Sequence, residues 1–284
     1  MSSTTDQNTR PKVTSQPVEN TVFHGDGREP ALLKHLQSRQ SELQGNSDAV
    51  LEAIDLYGEN SYLMNVGKHK GSEVEKVIAE ARPAKVLELG TYVGYSSLRF
   101  ARHVKSAFPD AVTPDKWATA GDKQKAGYVC LEYNQEYADV ARGVLDIGGV
   151  GEFAKIIVGA SSDSIKNLRE IVGLGPNETF DFLFLDHLKP LYTPDLQAME
   201  QLGLVGPGTT IVADNVVKPG NPPYLKYVRG SLADRKAWFS EKGGEWEGKG
   251  VPELKYESRL FKSWDPYTAE EDAVEITVCK GLEQ

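Results

Sequence analysis

The chain has 284 residues, of which 39% are hydrophobic and 26% charged, with a formal net charge of −9 at pH 7. This length is sufficient for one sizeable hydrophobic core. The acidic balance and the lack of a long basic run argue against a nucleic-acid partner. No apolar stretch approaches the roughly 20 residues needed to span a bilayer, and the N-terminus lacks the apolar segment of a secretory signal.

Residues 1–27 are polar and show little periodicity, which predicts a disordered N-terminal tail. Residues 28–284 are predicted to form a single domain that starts with two amphipathic helices within 28–58. Beyond them the predicted strands cover 85–89, 127–132, 154–159, 181–185 and 209–213, alternating with predicted helices over 95–104, 135–145, 162–172 and 194–203. Repeated strand–helix units predict an α/β fold with a Rossmann-like, doubly wound, mostly parallel sheet.

The C-terminal part of the chain follows a different pattern. Two more strands, at 255–261 and 273–279, have no clear helix between them, which predicts a terminal antiparallel hairpin and seven strands in all. Two stretches, 106–126 and 241–252, interrupt the alternation and are interpreted as variable surface loops. Cys130 and Cys279 each fall within a predicted strand, so buried free thiols and a reducing, cytoplasmic setting are the simplest interpretation. We predict no membrane contact, and a monomer or weak homodimer.

Side chains with oxygen ligands follow two of the short apolar runs. Asp186 comes directly after the strand that ends at Leu185, while Asp214 and Asn215 follow the strand that ends at Ala213. If these strands are neighbours about 4.8 Å apart, the three side chains can converge on one hard cation at the carboxyl edge of the sheet. Each residue alone has a plainer interpretation as a helix cap or a turn. Lys189 would stand beside the ion, in a position to help make an oxygen nucleophile.

The turn after the first strand contains Gly90 and Gly94. Glycines allow a tight turn and the close approach of a ligand, and the following helix offers free N–H groups. Tyr92 takes the place of the second glycine of the dinucleotide fingerprint, and no Gly-Lys-Ser/Thr follows, so a pyrophosphate cradle is disfavoured. Glu88, within the strand, favours a cationic or neutral ligand.

Two more residues occupy ends of predicted strands. Glu132, after the second strand, can accept hydrogen bonds from both ribose hydroxyls, although a single glutamate there can also be a solvated charge. Ser161, after the third strand, fits a helix cap as well as it fits an adenine contact.

Six motifs, in order between about residues 58 and 231, resemble the class I S-adenosylmethionine-dependent methyltransferases, and more narrowly the catechol O-methyltransferase family. They are Tyr62–Gly67, Val86–Ser96, Leu131–Tyr137, Gly159–Ser161, Phe184–Lys189 and Ala213–Val216, the last followed by Pro219-Gly220 and Tyr227–Gly230. The resemblance implies Mg²⁺-dependent transfer of a methyl group from S-adenosylmethionine to a hydroxyl of a catechol-type small molecule.

The resemblance also implies roles for individual residues. The cofactor would contact Met64, Asn65, Val66, Glu88, Gly90, Tyr92, Ser96, Glu132, Tyr133, Ser161, Asp186 and His187. The magnesium ligands would be Asp186, Asp214 and Asn215, and the general base would be Lys189. The acceptor would contact Tyr62, Lys189, Asn215, Pro219 and Glu257.

The chain departs from the family pattern on the acceptor side. Leu188 stands where the family has an aromatic residue, and Pro190-Leu191 replaces a charged pair. These differences leave open a methyltransferase for bulkier phenolic acceptors, such as a phenylpropanoid ester. A relative that binds the cofactor without catalysis is a further alternative. A nicotinamide dehydrogenase is disfavoured by Tyr92.

Overall fold

The computed structural model describes residues 25–241, 250–264 and 269–283, and these residues contain one sheet of seven strands. The strands are β1 (Lys85–Leu89), β2 (Gly127–Glu132), β3 (Ala154–Val158), β4 (Phe182–Leu185), β5 (Thr210–Ala213), β6 (Leu254–Trp264) and β7 (Glu271–Leu282). Their order is β3-β2-β1-β4-β5-β7-β6. The first five strands are parallel, and β7 is antiparallel to both β5 and β6. The predicted doubly wound sheet with a C-terminal antiparallel hairpin is confirmed.

Helices cover both faces of the sheet. Within the described ranges they are α1 (Arg28–Ser38), α2 (Gln40–Leu43), α3 (Ser47–Gly58), α4 (Gly67–Ala81), α5 (Tyr95–Ala107), α6 (Gln135–Ile147), α7 (Ser161–Val172), α8 (Tyr192–Gln201), α9 (Pro222–Arg229) and α10 (Leu232–Glu241). Successive residues of a strand enter opposite cores: Val86 packs on the side of α3 to α6, and Leu87 on the side of α7 to α9. This two-sided burial explains why the central strands are continuous apolar runs.

The strand order positions the functional edge. It reverses at β1, which lies between β2 and β4, so the crossovers on either side of β1 go to opposite faces. In open α/β sheets, ligands bind at the carboxyl ends of the strands beside such a switch point. Leu89 is in register with Leu131 and Leu185, and Leu185 with Ala213. The residues that follow these strands therefore share one edge of the sheet.

The 106–126 segment differs from its predicted character as a surface loop. It contains two short 3₁₀ helices, Pro114–Thr119 and Asp122–Gln124. Trp117 is fully buried in the core beside Phe180, with ring centroids 6.5 Å apart, and its indole N–H donates to the carbonyl of Val112 at 2.8 Å. The surface-loop interpretation is incomplete: most residues of the segment are exposed or half-buried, but the buried Trp117 anchors it to the core. Most of the second predicted loop, 241–252, lies outside the described residues.

Several helices go beyond those predicted, notably α4, α9 and α10. The signal for α4 is present in the sequence, because Val74, Val77 and Ile78 follow the spacing of a buried helical face and all three are buried. Of the predicted disordered tail, residues 1–24 lie outside the described ranges. Cys130 and Cys279 are buried free thiols, as predicted. In the described part of the chain, no helix is both long and apolar enough to cross a bilayer.

Glu200 of α8 is fully buried against two tyrosines on the side of the sheet away from α4. Its carboxylate accepts hydrogen bonds from the hydroxyls of Tyr227 (2.7 Å) and Tyr256 (2.6 Å) and from the N–H of Val251 (2.9 Å). Burial raises the pKa of Glu200 from 4.5 to about 7, although these hydrogen bonds oppose the shift. Between these two pH values the folded state holds a proton that the unfolded chain has lost, so this group makes stability fall as the pH rises.

We therefore expect the variant Glu200→Gln to lose this contribution to the pH dependence of stability. Between pH 5 and pH 7, its free energy of unfolding should fall less steeply than that of the wild type, by up to about 1.4 kcal/mol per pH unit. Urea unfolding at pH 5, 6, 7 and 8 measures both slopes. Altered hydrogen bonding can shift the free energy of unfolding by the same amount at every pH, which does not change the slope. Parallel plots of the free energy of unfolding against pH for the variant and the wild type would contradict the raised pKa of Glu200.

Candidate active site

A cavity of about 1020 Å³ opens at the carboxyl edge of the sheet. Its walls include most of the residues predicted for the site: Tyr62, Met64, Asn65, Val66, Gly90, Tyr92, Ser96, Glu132, Tyr133, Ser161, Asp186, His187, Lys189, Asp214, Asn215 and Pro219. The volume is at the upper end of the range for small-molecule sites. The cavity therefore has room for a nucleoside-sized cofactor with a small acceptor beside it.

Gly90 allows two strand ends to meet. Its φ of +92° is in the region that favours glycine, and an added Cβ would lie 2.6 Å from the carbonyl oxygen of Asp186 and 2.8 Å from Cα of His187. Its own N–H donates to the carbonyl of Leu131 at 2.9 Å. The absence of a side chain at this position thus sets the distance between the turn after β1 and the residues after β4.

The replacement Gly90→Ala should disturb both halves of the cavity, because the new methyl group meets backbone that cannot rotate away. We expect the affinity for S-adenosylhomocysteine to fall at least about tenfold, corresponding to about 1.4 kcal/mol, with a strain cost of about 1–3 kcal/mol in stability. Calorimetric titration and thermal unfolding measure the two effects. Gly208→Ala, at another positive-φ glycine with no atom within 4 Å of the added Cβ, is the control for backbone strain alone.

Glu132 holds the glycine turn in place. Its Oε2 accepts the N–H groups of Thr91 (3.1 Å) and Tyr92 (2.9 Å), while Oε1 accepts the N–H of Asn134 (2.8 Å). A carboxylate oxygen has about two acceptor positions, so Oε1 keeps one for a ligand hydroxyl. Glu132 therefore has room to accept a hydrogen bond from one ribose hydroxyl, whereas the sequence predicted that it accepts both.

Tyr92 adopts a left-handed backbone conformation, with φ of 48°, at the position where the dinucleotide fingerprint has glycine. Its hydroxyl donates to Glu29 at 2.7 Å, and its ring makes an edge contact with Tyr137 at a centroid distance of 5.0 Å. These contacts, with the N–H bond to Glu132, offset the strain of a non-glycine residue there.

Glu88 lies one layer behind the cavity wall. It is fully buried and accepts hydrogen bonds from the hydroxyls of Ser96 and Ser97, both at 2.5 Å. Burial raises the pKa of Glu88 to about 7, against the effect of these hydroxyls. Ser96 itself lines the cavity. This geometry does not support the predicted direct contact of Glu88 with the cofactor; Glu88 instead fixes the direction of the Ser96 hydroxyl.

Ser161 and His187 also line the cavity. Ser161 is the first residue of α7, and Ala160 occupies the N-cap position, so the cap interpretation of Ser161 is wrong. Nε2 of His187 lies 3.0 Å from Oδ2 of the buried Asp195, and because an ionised carboxylate can only accept, Nε2 is the donor. Nδ1 of His187 is then an acceptor, and this buried atom has no protein partner among the described residues.

The predicted metal ligands come together on the wall formed by β4 and β5. Asp186 follows Leu185 and Asp214 follows Ala213, which are directly paired residues, and the N–H of Asp214 donates to the carbonyl of Leu185 at 2.9 Å. Asn215 has φ of 56°, a left-handed conformation that asparagine tolerates better than most residues. All three residues line the cavity.

The donor chemistry of this wall fits magnesium. The residues described contain no cluster of three or more histidine, cysteine, aspartate or glutamate side chains suited to a metal ion. Two carboxylates and an amide oxygen are nevertheless hard ligands, and Mg²⁺ is often held by one or two carboxylates with its other positions left to water or substrate. Burial raises the pKa of Asp214 to about 7, and Asp186 adds to this while Lys70 opposes it. A bound cation would favour the ionised form of Asp214.

Lys189 lies beside the proposed ligands. Its ammonium group donates to Oδ1 of Asp186 at 2.9 Å and to the hydroxyl of Tyr192 at 2.8 Å. The hydroxyl of Tyr192 donates in turn to the carbonyl of Asp214 at 3.2 Å. The backbone is fixed as well, because the side-chain amide of Asn221 donates to the carbonyl of Lys189 at 2.7 Å. These contacts hold the lysine at the cavity wall.

Glu257 does not take part in the site, so its predicted contact with the acceptor is wrong. Its side chain is exposed on β6 and pairs with Lys280 at 2.8 Å. The C-terminal hairpin instead contributes Glu270 and Asp272 to the cavity wall. Lys70 also lines the cavity and was not predicted, because α4 was not among the predicted helices; its spacing to the buried Val74, Val77 and Ile78 places it on the same helical face.

Comparisons with known proteins agree with the fold. A family described as a methyltransferase domain matches residues 87–216. The fold is similar to that of an O-methyltransferase from Bacillus cereus in complex with SAH, with a TM-score of 0.54 and 20% identity over 88% of this chain and 97% of that chain. It is also similar to an SAH-bound methyltransferase from Podospora anserina, with a TM-score of 0.53 and 18% identity over 95% and 99%. The fold is that of these methyltransferases, and the matching family defines a methyltransferase domain.

Sequence similarity narrows this class. The chain is 39% identical over 217 residues to catechol O-methyltransferase of Mus musculus, covering 76% of this chain and 73% of that protein. It is 36% identical over 244 residues to catechol O-methyltransferase B of Danio rerio, covering 86% and 76%. The chain belongs to the catechol O-methyltransferase family and is an S-adenosylmethionine-dependent O-methyltransferase.

Proposed function

We propose that this enzyme transfers the methyl group of S-adenosylmethionine to one hydroxyl of a catechol-type small molecule, with Mg²⁺ at the acceptor. The observation that carries the proposal is the shared wall of Asp186, Asp214, Asn215 and Lys189, next to the glycine turn in the same cavity. Oxygen ligands for a hard cation and a neighbouring lysine are the groups needed to bind a diol and remove its proton.

Polar atoms of the cavity support the assignment of the cofactor. Nδ1 of His187 and the amide nitrogen of Asn65 are buried without a protein partner among the residues described, and buried polar atoms normally have one. The adenine amino group can donate to Nδ1 of His187, and the carboxylate of the methionine part can accept from Asn65. Glu132 and the Ser96 hydroxyl would then bind the ribose and the amino-acid part.

In the proposed reaction, Lys189 first loses its ammonium proton to solvent and then, as the neutral amine, takes the proton of the acceptor hydroxyl. The oxygen then attacks the methyl carbon as its bond to sulfur breaks, giving a methyl ether, S-adenosylhomocysteine and protonated Lys189. Bound Mg²⁺ would hold the two vicinal oxygens and lower the pKa of the reacting hydroxyl. Placing oxygen and methyl carbon in line accounts for the largest effect, since fixed orientation contributes roughly 7–11 kcal/mol to such reactions.

A bulkier phenolic acceptor is a second candidate, supported by the openness of one side of the cavity. Leu188 lines the cavity with 67% of its surface exposed, and Met64 on the opposite segment is 37% exposed. An aromatic or ester extension of the acceptor could cover these side chains and remove their apolar surface from water. Tyr62 and Pro219 remain the predicted walls beside the diphenol ring.

The test is a panel of catechol, guaiacol, phenol and a caffeoyl ester, each assayed with S-adenosylmethionine and with either Mg²⁺ or EDTA. We expect methylation of the vicinal diols only, and loss of at least about 99% of the activity in EDTA, restored by Mg²⁺. A higher kcat/KM for the caffeoyl ester than for catechol would favour the bulkier acceptor. Full activity in EDTA, or equal turnover of phenol and catechol, would contradict chelation by the metal.

We also propose a cytoplasmic location and a monomer or weak homodimer. Two buried free thiols fit a reducing cytoplasm, and the acidic balance fits a protein without a nucleic-acid partner. Gel filtration coupled to light scattering would distinguish a monomer from a weak homodimer.

A further inference from the structure

Lys70 of α4 is a charged group buried at the proposed metal wall. Its side chain is 2% exposed, and its ammonium group lies 2.7 Å from Oδ1 of Asp214, 3.0 Å from Oδ2 of Asp214 and 2.6 Å from Oδ2 of Asp272. Burial opposes its charge, but the two aspartates raise the pKa of Lys70 above its ordinary value. Lys70 is thus a fixed cation that joins a predicted ligand of the metal to the C-terminal strand.

Asp272 of β7 is the second buried member of this group, at 1% exposure. Besides the contact with Lys70, its Oδ2 accepts the side-chain amide N–H of Asn215 at 2.9 Å. Its Oδ1 accepts the backbone N–H of Lys218 at 3.0 Å. Two segments of the acceptor side, α4 and the stretch that follows β5, therefore meet at this one carboxylate of β7.

These contacts give Asp272 the geometry of a group that orients ligands. Two donors occupy the acceptor positions of Oδ2, and Oδ1 is turned to the backbone of Lys218. The amide nitrogen of Asn215 is held by Asp272, so the amide oxygen of Asn215 points away from Asp272. Both carboxylate oxygens of Asp214 contact Lys70, which fixes the plane of that carboxylate.

We propose that Asp272, acting through Asn215 and Lys70, is a positioning residue of the divalent-cation site. It fixes the amide of Asn215 and, by way of Lys70, the carboxylate of Asp214, so the C-terminal hairpin determines the geometry of ligands that come from β5. This inference rests on the proposed metal dependence. Groups that orient metal ligands through hydrogen bonds commonly contribute 10- to 100-fold to metal affinity.

The formal charges of the cluster strengthen the expected effect of Asp272. Three carboxylates, from Asp186, Asp214 and Asp272, face two ammonium groups, from Lys70 and Lys189, which leaves a formal charge of −1. Neutralising Asp272 brings this charge to zero and leaves Lys70 with Asp214 as its only ionised partner in the cluster. The charge and the geometry therefore change the cation affinity in the same direction.

The experiment titrates Mn²⁺ and Mg²⁺ into the full-length protein saturated with S-adenosylhomocysteine. In Asp272→Asn, which keeps the size of the side chain, we expect the dissociation constant of the metal to rise about 10- to 100-fold. The affinity for S-adenosylhomocysteine should stay within about threefold. In turnover assays, the Mg²⁺ concentration for half-maximal rate should rise by the same factor, and kcat should recover at saturating Mg²⁺.

Two further variants separate positioning from charge and from stability. Asp272→Glu keeps the charge but displaces the carboxylate by one methylene, and its metal dissociation constant should still rise about tenfold. Glu275→Gln removes another buried carboxylate of β7, which pairs with Arg229 at 2.6 Å. It should lower the midpoint of thermal unfolding while leaving the metal dissociation constant within about twofold of the wild type.

The outcomes distinguish this inference from the function on which it rests. A wild-type protein that binds neither metal contradicts the proposed function itself. Metal binding of equal strength in the wild type and in Asp272→Asn overturns the positioning role alone. If Asp272→Glu binds the metal as tightly as the wild type while Asp272→Asn binds it weakly, Asp272 contributes only its charge, and the positioning role is also overturned. Thermal unfolding and binding of S-adenosylhomocysteine report whether each variant is folded.

Discussion

Replacing Lys189 with methionine is expected to lower kcat by about 10²- to 10⁴-fold, the usual contribution of a positioned general base. Methionine has nearly the length of lysine but cannot take a proton. Its side chain also loses the hydrogen bonds that lysine donates to Asp186 and Tyr192, but Lys189 itself is not among the predicted contacts of the cofactor or ligands of the metal. The dissociation constants of S-adenosylmethionine and of the metal are therefore expected to change much less than kcat.

The pH profile makes this prediction specific. Without the base, only acceptor molecules that are already ionised can react, so the residual rate of Lys189→Met should rise about tenfold per pH unit below the pKa of the acceptor. Lys105→Met, at an exposed lysine that donates to the carbonyl of Gly149, is the matched control and should retain the wild-type rate. A kcat for Lys189→Met within threefold of the wild type would show that another group removes the proton.

The second large effect is expected for Asp214→Asn. The change removes a carboxylate from the proposed metal wall and leaves the ammonium group of Lys70, 2.7 Å away, facing an amide. Metal affinity should fall by at least about 100-fold, because a direct ligand matters at least as much as the groups behind it. Breaking one partner of a buried ion pair also costs about 3–5 kcal/mol in stability, so the measurement combines metal titration with thermal unfolding.

Asp181→Asn serves as the control for the loss of stability. Asp181 precedes β4 at the opposite edge of the sheet and accepts the N–H groups of Ala84 (2.9 Å) and Lys85 (2.7 Å). Its replacement should destabilise the fold without changing metal affinity or the requirement of turnover for Mg²⁺. If Asp214→Asn retained wild-type metal affinity while its stability fell, Asp214 would be a structural partner of Lys70 and not a ligand.

The site residues that could be predicted from the sequence are those that end the parallel strands or directly follow them. An apolar run such as Phe182–Leu185 has few alternatives to a buried strand, and the carboxyl end of a buried parallel strand is where ligands bind. Asp186, Asp214 and Glu132 could therefore be assigned to one edge of the sheet, and all three line the cavity. The local sequence was sufficient to place these residues because each of them ends its strand or directly follows it.

The residues that were not predicted come to the cavity from elements far apart in the chain. Lys70 comes from a helix before the first strand, and Asp272 from the antiparallel hairpin, 202 residues apart along the chain. No local pattern encodes their meeting, because it depends on β7 inserting between β5 and β6. Glu257 was predicted to be in the site because the sequence does not show how the hairpin strands pair. In the structure it is paired with Lys280 on the surface.

The sequence by itself determined the class of fold, the family and which side chains follow the central strands, because hydrophobic periodicity and local motifs are properties of neighbouring residues. The tertiary structure alone decided which side chains reach the cavity from distant elements, and that Glu88 lies behind Ser96 while Lys70 and Asp272 lie at the proposed metal wall. The physical reason is that strand order and hairpin register are fixed by packing across the whole sheet, where each contact joins residues far apart in the chain.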